Sequence, residues 1–145
     1  YILLLEDNDD FRSTLTKLIE TDSTSRRKVF AAGDLNTALK LIDDGIQPSV
    51  ILIDLKLEGR RTGLDFLIQL QERGALSTAK KIVLSDLSRD DISISGRRIS
   101  LSDLRSAGMD QYIEKKSIWS EGTEGYLSLL ASETRTTGLY NRPQA

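Results

Sequence analysis

Cysteine and histidine are both absent from the 145 residues of this chain. The first absence excludes disulfides and thiolate metal sites. The second removes His-based triads and His-ligated zinc, so any histidine chemistry has to come from a partner. No apolar run approaches the roughly 20 residues needed to span a bilayer, and no signal-peptide pattern opens the chain. Charge of one sign is not in excess: 20 Lys plus Arg against 22 Asp plus Glu leave −2. That balance argues against a strongly basic nucleic-acid binder and against a membrane-surface charge pattern. The pairs Arg60-Arg61 and Arg97-Arg98 lack the basic stripe and stacking aromatics of such binding and read as solvated loop charges. Neither G-x-x-x-x-G-K-[ST] nor G-x-G-x-x-G occurs, so the two common phosphate-cradling loops are missing. There is no internal repeat and no low-complexity block. The length suits one domain with a sizeable core. The chain opens on Tyr1, inside an expected strand and without an initiator Met, so a few upstream residues are expected.

What is present is an alternation. Residues 50–55 (VILIDL) are a continuous apolar run closed by one carboxylate, the pattern of a strand buried on both faces. Similar runs occur at 1–5 (YILLL), 28–32 (KVFAA), 80–85 (KKIVLS) and 111–114 (QYIE). Between them lie helical periods. Phe11, Leu15, Leu18 and Ile19 make the first, capped by Asn8 or Asp9. Leu35, Ala38, Leu41 and Ile42 make the second, capped by Asp34 and ended by Gly45. Gly63 opens a third with Leu64, Phe66, Leu67 and Leu70, stopped near Gly74. Ser100 or Ser102 caps a short fourth with Leu101, Leu104 and Ala107, and a fifth holds Tyr126, Leu127, Leu129 and Leu130. Five strand–helix units predict an α/β fold, a doubly wound parallel sheet of order 2-1-3-4-5 with helices on both faces. The domain is expected over residues 1–134, with 135–145 as a tail or linker.

Parallel strands send their carboxyl ends to one edge, where open sheets bind ligands. That edge would collect Glu6 and Asp7, Asp54, Ser85 and Lys115. Strands 1 and 3 are neighbours in this order, so three carboxylates would share one crevice. Two carboxylates ~5 Å apart repel by roughly 3 kcal/mol at an effective dielectric of about 20. Relief requires a cation or a raised pKa. Mg²⁺ suits such a site, because it takes carboxylates, waters and phosphate oxygens. A carboxylate can also act as a nucleophile and form an aspartyl phosphate. Lys115 would then set a point charge against phosphoryl oxygens, and Ser85 would donate a hydroxyl.

The series LLLEDN, VILIDL, IVLS and YIEK resembles the response-regulator receiver domain of two-component signalling, over about residues 1–133. The resemblance implies that Glu6 and Asp7 bind Mg²⁺ and that Asp54 is both a ligand and the phosphoacceptor. It implies that the backbone carbonyl of Lys56 completes the metal shell. Ser85 and Lys115 take the phosphate-binding positions, and Tyr112 takes that of the aromatic switch, turning from exposed to buried as phosphate draws Ser85 inward. The implied donor is a histidine kinase or a histidine phosphotransfer protein. A homodimer through helix 4, strand 5 and helix 5 is implied as possible, as are a cytoplasmic location, no membrane contact and no direct nucleic-acid binding.

Four features depart from the pattern. Asp86 stands where a small residue is usual, Lys116 replaces a proline, Leu57-Glu58 replaces a hydrophobic-Pro turn, and residues 86–100 are longer than usual. Within that stretch Ile92, Ser93, Ile94 and Ser95 alternate like an edge strand, and Gly96 can turn it into a hairpin with residues 98–100; a plain surface loop is the alternative. These departures keep a phosphorylation-independent interaction module open as an alternative. A Mg²⁺-dependent aspartyl-phosphate phosphatase ranks lower, since Lys56 occupies the place of that class's second Asp. The domain is otherwise expected to signal rather than to turn over substrate.

Overall fold

The three central runs carry branched apolar residues on both faces and become the buried middle strands of one sheet, while the other two form its partly buried edges. The computed structural model describes residues 1–21, 27–94 and 96–116. Strands β1 (Ile2–Leu5), β2 (Val29–Ala32), β3 (Val50–Asp54), β4 (Lys80–Ser85) and β7 (Gln111–Glu114) form a parallel five-stranded sheet ordered β2-β1-β3-β4-β7. This is the expected 2-1-3-4-5 order.

Helices α1 (Asp9–Thr21), α2 (Leu35–Asp43), α3 (Gly63–Arg73) and α4 (Leu101–Ser106) connect the strands. Alternate strand residues feed two cores. Leu3, Leu5, Ile51, Ile53 and Val83 pack with α2, α3 and α4. Ile2, Leu4, Val50, Leu52, Ile82 and Leu84 pack with Leu15 and Ile19 of α1. The expected fifth helix, with Tyr126, Leu127, Leu129 and Leu130, and the expected tail fall outside the described residues. Among the described residues no helix is long and apolar enough to cross a membrane.

Local chemistry sets the helix starts. Asn8, rather than Asp9, caps α1, its Oδ1 accepting from the Phe11 amide at 2.8 Å. Asp34 caps α2 by accepting from the Thr37 amide at 2.7 Å; that amide, joined by the Thr37 side chain, holds the Asp34 carboxyl below its ordinary pKa. Thr62 with Asp65, and Ser100 with Asp103, form reciprocal capping boxes at α3 and α4. Gly74, at φ +62°, ends α3 in the left-handed conformation that glycine favours.

Residues 86–100 are not a plain loop. Strands β5 (Ser93–Ile94) and β6 (Arg97–Arg98) pair as an antiparallel hairpin, and the Ile99 amide extends the ladder to the Ile92 carbonyl at 2.9 Å. Ile92, Ile94 and Ile99 are buried in the same core as α3 and α4. The return strand begins one residue earlier than expected and does not include Ser100, because Ser100 is committed to capping α4.

Candidate functional site

The sheet ladder ends at one edge, and the functional side chains sit just past it. Leu5 pairs with Ile53, Asp54 with Leu84, and Ser85 with Glu114. Glu6 and Asp7 leave β1, Asp54 closes β3, Ser85 closes β4, and Lys115 follows β7. Carboxylate oxygens of Glu6, Asp7 and Asp54 lie within 4.8 Å of one another. Glu6 is 0% exposed and Asp54 3%, while Asp7 is half-buried. The crevice predicted from the strand ends therefore forms.

Lys115 closes it. Its Nζ lies 2.9 Å from Glu6 Oε1 and 3.4 Å from Asp54 Oδ1, and 4.7 Å from the Phe11 ring centroid. Every peptide bond among the described residues is trans, so Lys115 reaches the acids with Lys116 after it. Glu6 Oε2 accepts from the Asn8 amide at 3.1 Å. Asp54 Oδ1 accepts from the Lys56 amide at 3.3 Å, and a bridge from Lys56 to Thr62 closes that loop.

Burial is the main reason that the Asp54 carboxyl is pushed up to about 9; hydrogen bonding of its protonated form to Glu6 and Asp7 and the Glu6 charge add to it, and Lys115 opposes it. Burial works against the charge on Lys115, yet Asp54, Glu6 and Asp86 outweigh it and hold its pKa above the ordinary lysine value. The site thus carries more carboxylates than one ammonium can neutralise. Its donors are all hard oxygens on one concave edge, which fits a small divalent cation such as Mg²⁺.

Ser85 and Tyr112 both bond to the backbone of Leu87. Ser85 Oγ accepts from the Leu87 amide at 3.0 Å, and Tyr112 Oη donates to the Leu87 carbonyl at 2.8 Å. Tyr112 is buried at 6% exposure, so the exposed starting position expected for it is not the one present. The Leu87 carbonyl gives its hydroxyl an inward partner, and the hairpin isoleucines share its core. Asp86 is exposed beside Ser85. Lys116 points away from the acids, with Nζ 3.6 Å from Glu114.

Two contributions escaped the strand-end reading. A Cβ at Gly63 would lie 2.7 Å from the Asp54 carbonyl oxygen and 3.1 Å from Leu55 Cα, so only glycine lets α3 start against the backbone at Asp54. Arg12 donates from Nη1 to the Glu6 carbonyl at 2.8 Å. The helix-start glycine was a visible signal; a guanidinium on a carbonyl six residues back leaves none.

The sequence matches the response regulator receiver domain family over residues 2–122. A comparison with curated proteins finds no match. The fold is similar to the receiver domain of NtrX from Brucella abortus, at TM-score 0.68 and 22% identity, over 95% of this chain and 100% of that one. It is similar to the chemotaxis protein CheY4 of Vibrio cholerae, at TM-score 0.69 and 16% identity, over 90% and 95%. A response regulator receiver domain protein from Methanospirillum hungatei aligns at TM-score 0.61 and 20% identity, over 91% and 96%. At such identities these likenesses speak for the flavodoxin-like fold alone. The family match spans most of the sequence and falls on the strand ends that carry the acids, and on that ground this chain belongs to the response regulator receiver domains of two-component signalling.

Proposed function

We propose that Asp54 accepts a phosphoryl group from the phosphohistidine of a partner kinase or phosphotransfer protein, in a Mg²⁺-dependent reaction. The carrying observation is the buried Asp54 grouped with Glu6 and Asp7 within 4.8 Å. In the transfer, a carboxylate oxygen of Asp54 bonds to phosphorus as the P–N bond breaks, and the departing imidazole takes a proton. Glu6, Asp7, Asp54 and the Lys56 carbonyl would hold Mg²⁺, whose charge would offset that of the phosphoryl oxygens. Lys115, already between Glu6 and Asp54, is placed to move its ammonium onto a phosphoryl oxygen. Ser85 is placed to turn its hydroxyl from the Leu87 amide to another. Output would pass through α4, β7 and the expected fifth helix, to a partner or to a second copy.

Intact mass after incubation with a small phosphoryl donor and Mg²⁺ tests this. One phosphoryl group should appear, be removed by hydroxylamine as an acyl phosphate is, and be absent without Mg²⁺ or in Asp54→Asn. A label that persists in that variant would sink the assignment. The exposed Asp86 beside Ser85 favours a second reading, an interaction module that works without phosphate, because an acid at the mouth repels an anionic donor. Absence of the label in the wild type with donor and Mg²⁺ in excess, and its appearance in Asp86→Ala, would select that reading.

A further inference from the structure

Arg12 sits on the first turns of α1, yet only part of it behaves as a surface arginine. Its Nη2 lies 2.5 Å from Asp9 Oδ1, a pair with side-chain exposures of 24% and 87%. Such an exposed pair contributes little to stability. The other arm of the fork is different. Nη1 donates to the carbonyl of Glu6 at 2.8 Å, and Glu6 is fully buried. The Glu6 amide makes the last parallel bond to β2, donating to the Ala32 carbonyl at 3.0 Å. The carbonyl of the same residue lies beyond the ladder, at the turn that presents Glu6 and Asp7.

The guanidinium is also wedged. A Cβ at Gly33 would stand 2.9 Å from Arg12 Nη1 and 3.4 Å from its Cζ. Gly33 is not among the glycines with positive φ, so the need there is for space rather than for an unusual backbone. Asp34 adds its charge from the start of α2, where Arg12 helps to hold its carboxyl down. Arg12 therefore joins the end of β1, the first turn of α1 and the β2–α2 turn at one point beside the acids.

We propose that Arg12 is a positioning residue of the acidic site: pressed against Gly33, it fixes the Glu6 carbonyl and with it the turn that aims Glu6 and Asp7. The inference rests on reading that site as the Mg²⁺-dependent phosphoacceptor. Charge alone predicts the opposite behaviour. Removing a cation next to three carboxylates should strengthen binding of a dication, whereas loosening the turn should weaken it. Groups that orient metal ligands are typically worth about ten- to a hundredfold in affinity.

The test is Mg²⁺ titration by calorimetry on wild type, Arg12→Met, Gly33→Ala and the double variant, with thermal melting of each. Arg12→Met should bind Mg²⁺ roughly tenfold more weakly while melting within a few degrees of wild type. Gly33→Ala leaves the charge unchanged and should weaken binding in the same direction by pushing the guanidinium off the carbonyl. In the Arg12→Met background the added methyl should do nothing further. Unchanged or tighter binding in Arg12→Met would overturn the proposal, as would an equal Gly33→Ala effect in both backgrounds. Should Arg12→Met fail to fold, the charge-neutral Gly33→Ala decides alone. Amide hydrogen exchange over residues 6–10 in the metal-free protein gives a second readout, expected to rise about tenfold in either single variant. If wild type takes up no Mg²⁺, the functional reading fails, and the exchange readout still judges the positioning role.

Discussion

Lys115 holds together a group of side chains that would otherwise repel. Its ammonium touches Glu6 and Asp54, both almost fully buried, and the remaining wall near it is the Phe11 ring. Replacing it by Met keeps much of the stem's packing and leaves the carboxylates without a cation. Breaking a buried pair in this way costs about 3–5 kcal/mol. In EDTA, Lys115→Met should lose stability of that order in urea denaturation. Mg²⁺ should return a large part of it, because the dication relieves the same repulsion. Equal losses with and without Mg²⁺ would show that Lys115 contributes packing alone. Asp54→Asn acts in the other direction. Above about pH 9, where Asp54 is ionised, it removes one charge from the crowd while Glu6 still pairs Lys115, so there the metal-free variant should be more stable than wild type by about 1 kcal/mol. The site's company was legible because each member ends an apolar run. Lys81 was not. It is 7% exposed, and its Nζ donates to the Leu76 and Ala79 carbonyls at 2.9 and 3.1 Å. Arg12 was hidden for the same reason: the partner is a main-chain oxygen, and every residue type carries one.

At the scale of elements, the hairpin β5–β6 is the feature that the strand–helix alternation least determines. Ile92, Ser93 and Ile94 alternate, and Gly96 has φ +78°, so the turn was readable. The burial of Ile99 depends on where the hairpin docks, which local pattern does not contain. Ile92→Ala should cost about 2–4 kcal/mol if this docking is part of the core, against a few tenths for a solvated loop. The segment leading to the hairpin is also tied to the site through one residue, since Leu87 is held by Ser85 at its amide and by Tyr112 at its carbonyl. Arg89 adds a contact to the Tyr112 carbonyl at 3.4 Å. Tyr112→Phe removes the carbonyl's partner at a cost of about 1 kcal/mol. Amide exchange across residues 87–94 should then rise in the resting protein. A phosphate mimic with Mg²⁺ should shift the same amides in wild type, as Ser85 turns away from Leu87. Exchange that is fast and unmoved by the mimic or by Tyr112→Phe would reduce the segment to a bystander.

The whole molecule feels the site through its protons. The parallel sheet buries Asp54 between two cores, and burial with two neighbouring acids pushes its carboxyl from the ordinary 3.8 up to about 9. Between those pH values the folded chain keeps a proton that the unfolded chain has lost. The unfolded state then binds fewer protons, so stability falls as pH rises through that window. Below it both states are protonated and nothing is lost; above it both are ionised and the penalty is complete. Other groups titrate too, so the measurable quantity is the difference between wild type and Asp54→Asn. In EDTA, melting temperatures followed from pH 6 to pH 9 should fall more steeply for wild type than for the variant. Mg²⁺ binds the ionised form and must expel that proton, so its apparent affinity should climb by up to about tenfold per pH unit in the window. Calorimetry in buffers of different ionisation enthalpy would count the proton released on each Mg²⁺ bound. Parallel melting slopes together with no proton release would mean that Asp54 is already ionised in the resting protein, with Lys115 alone sufficient to hold it so.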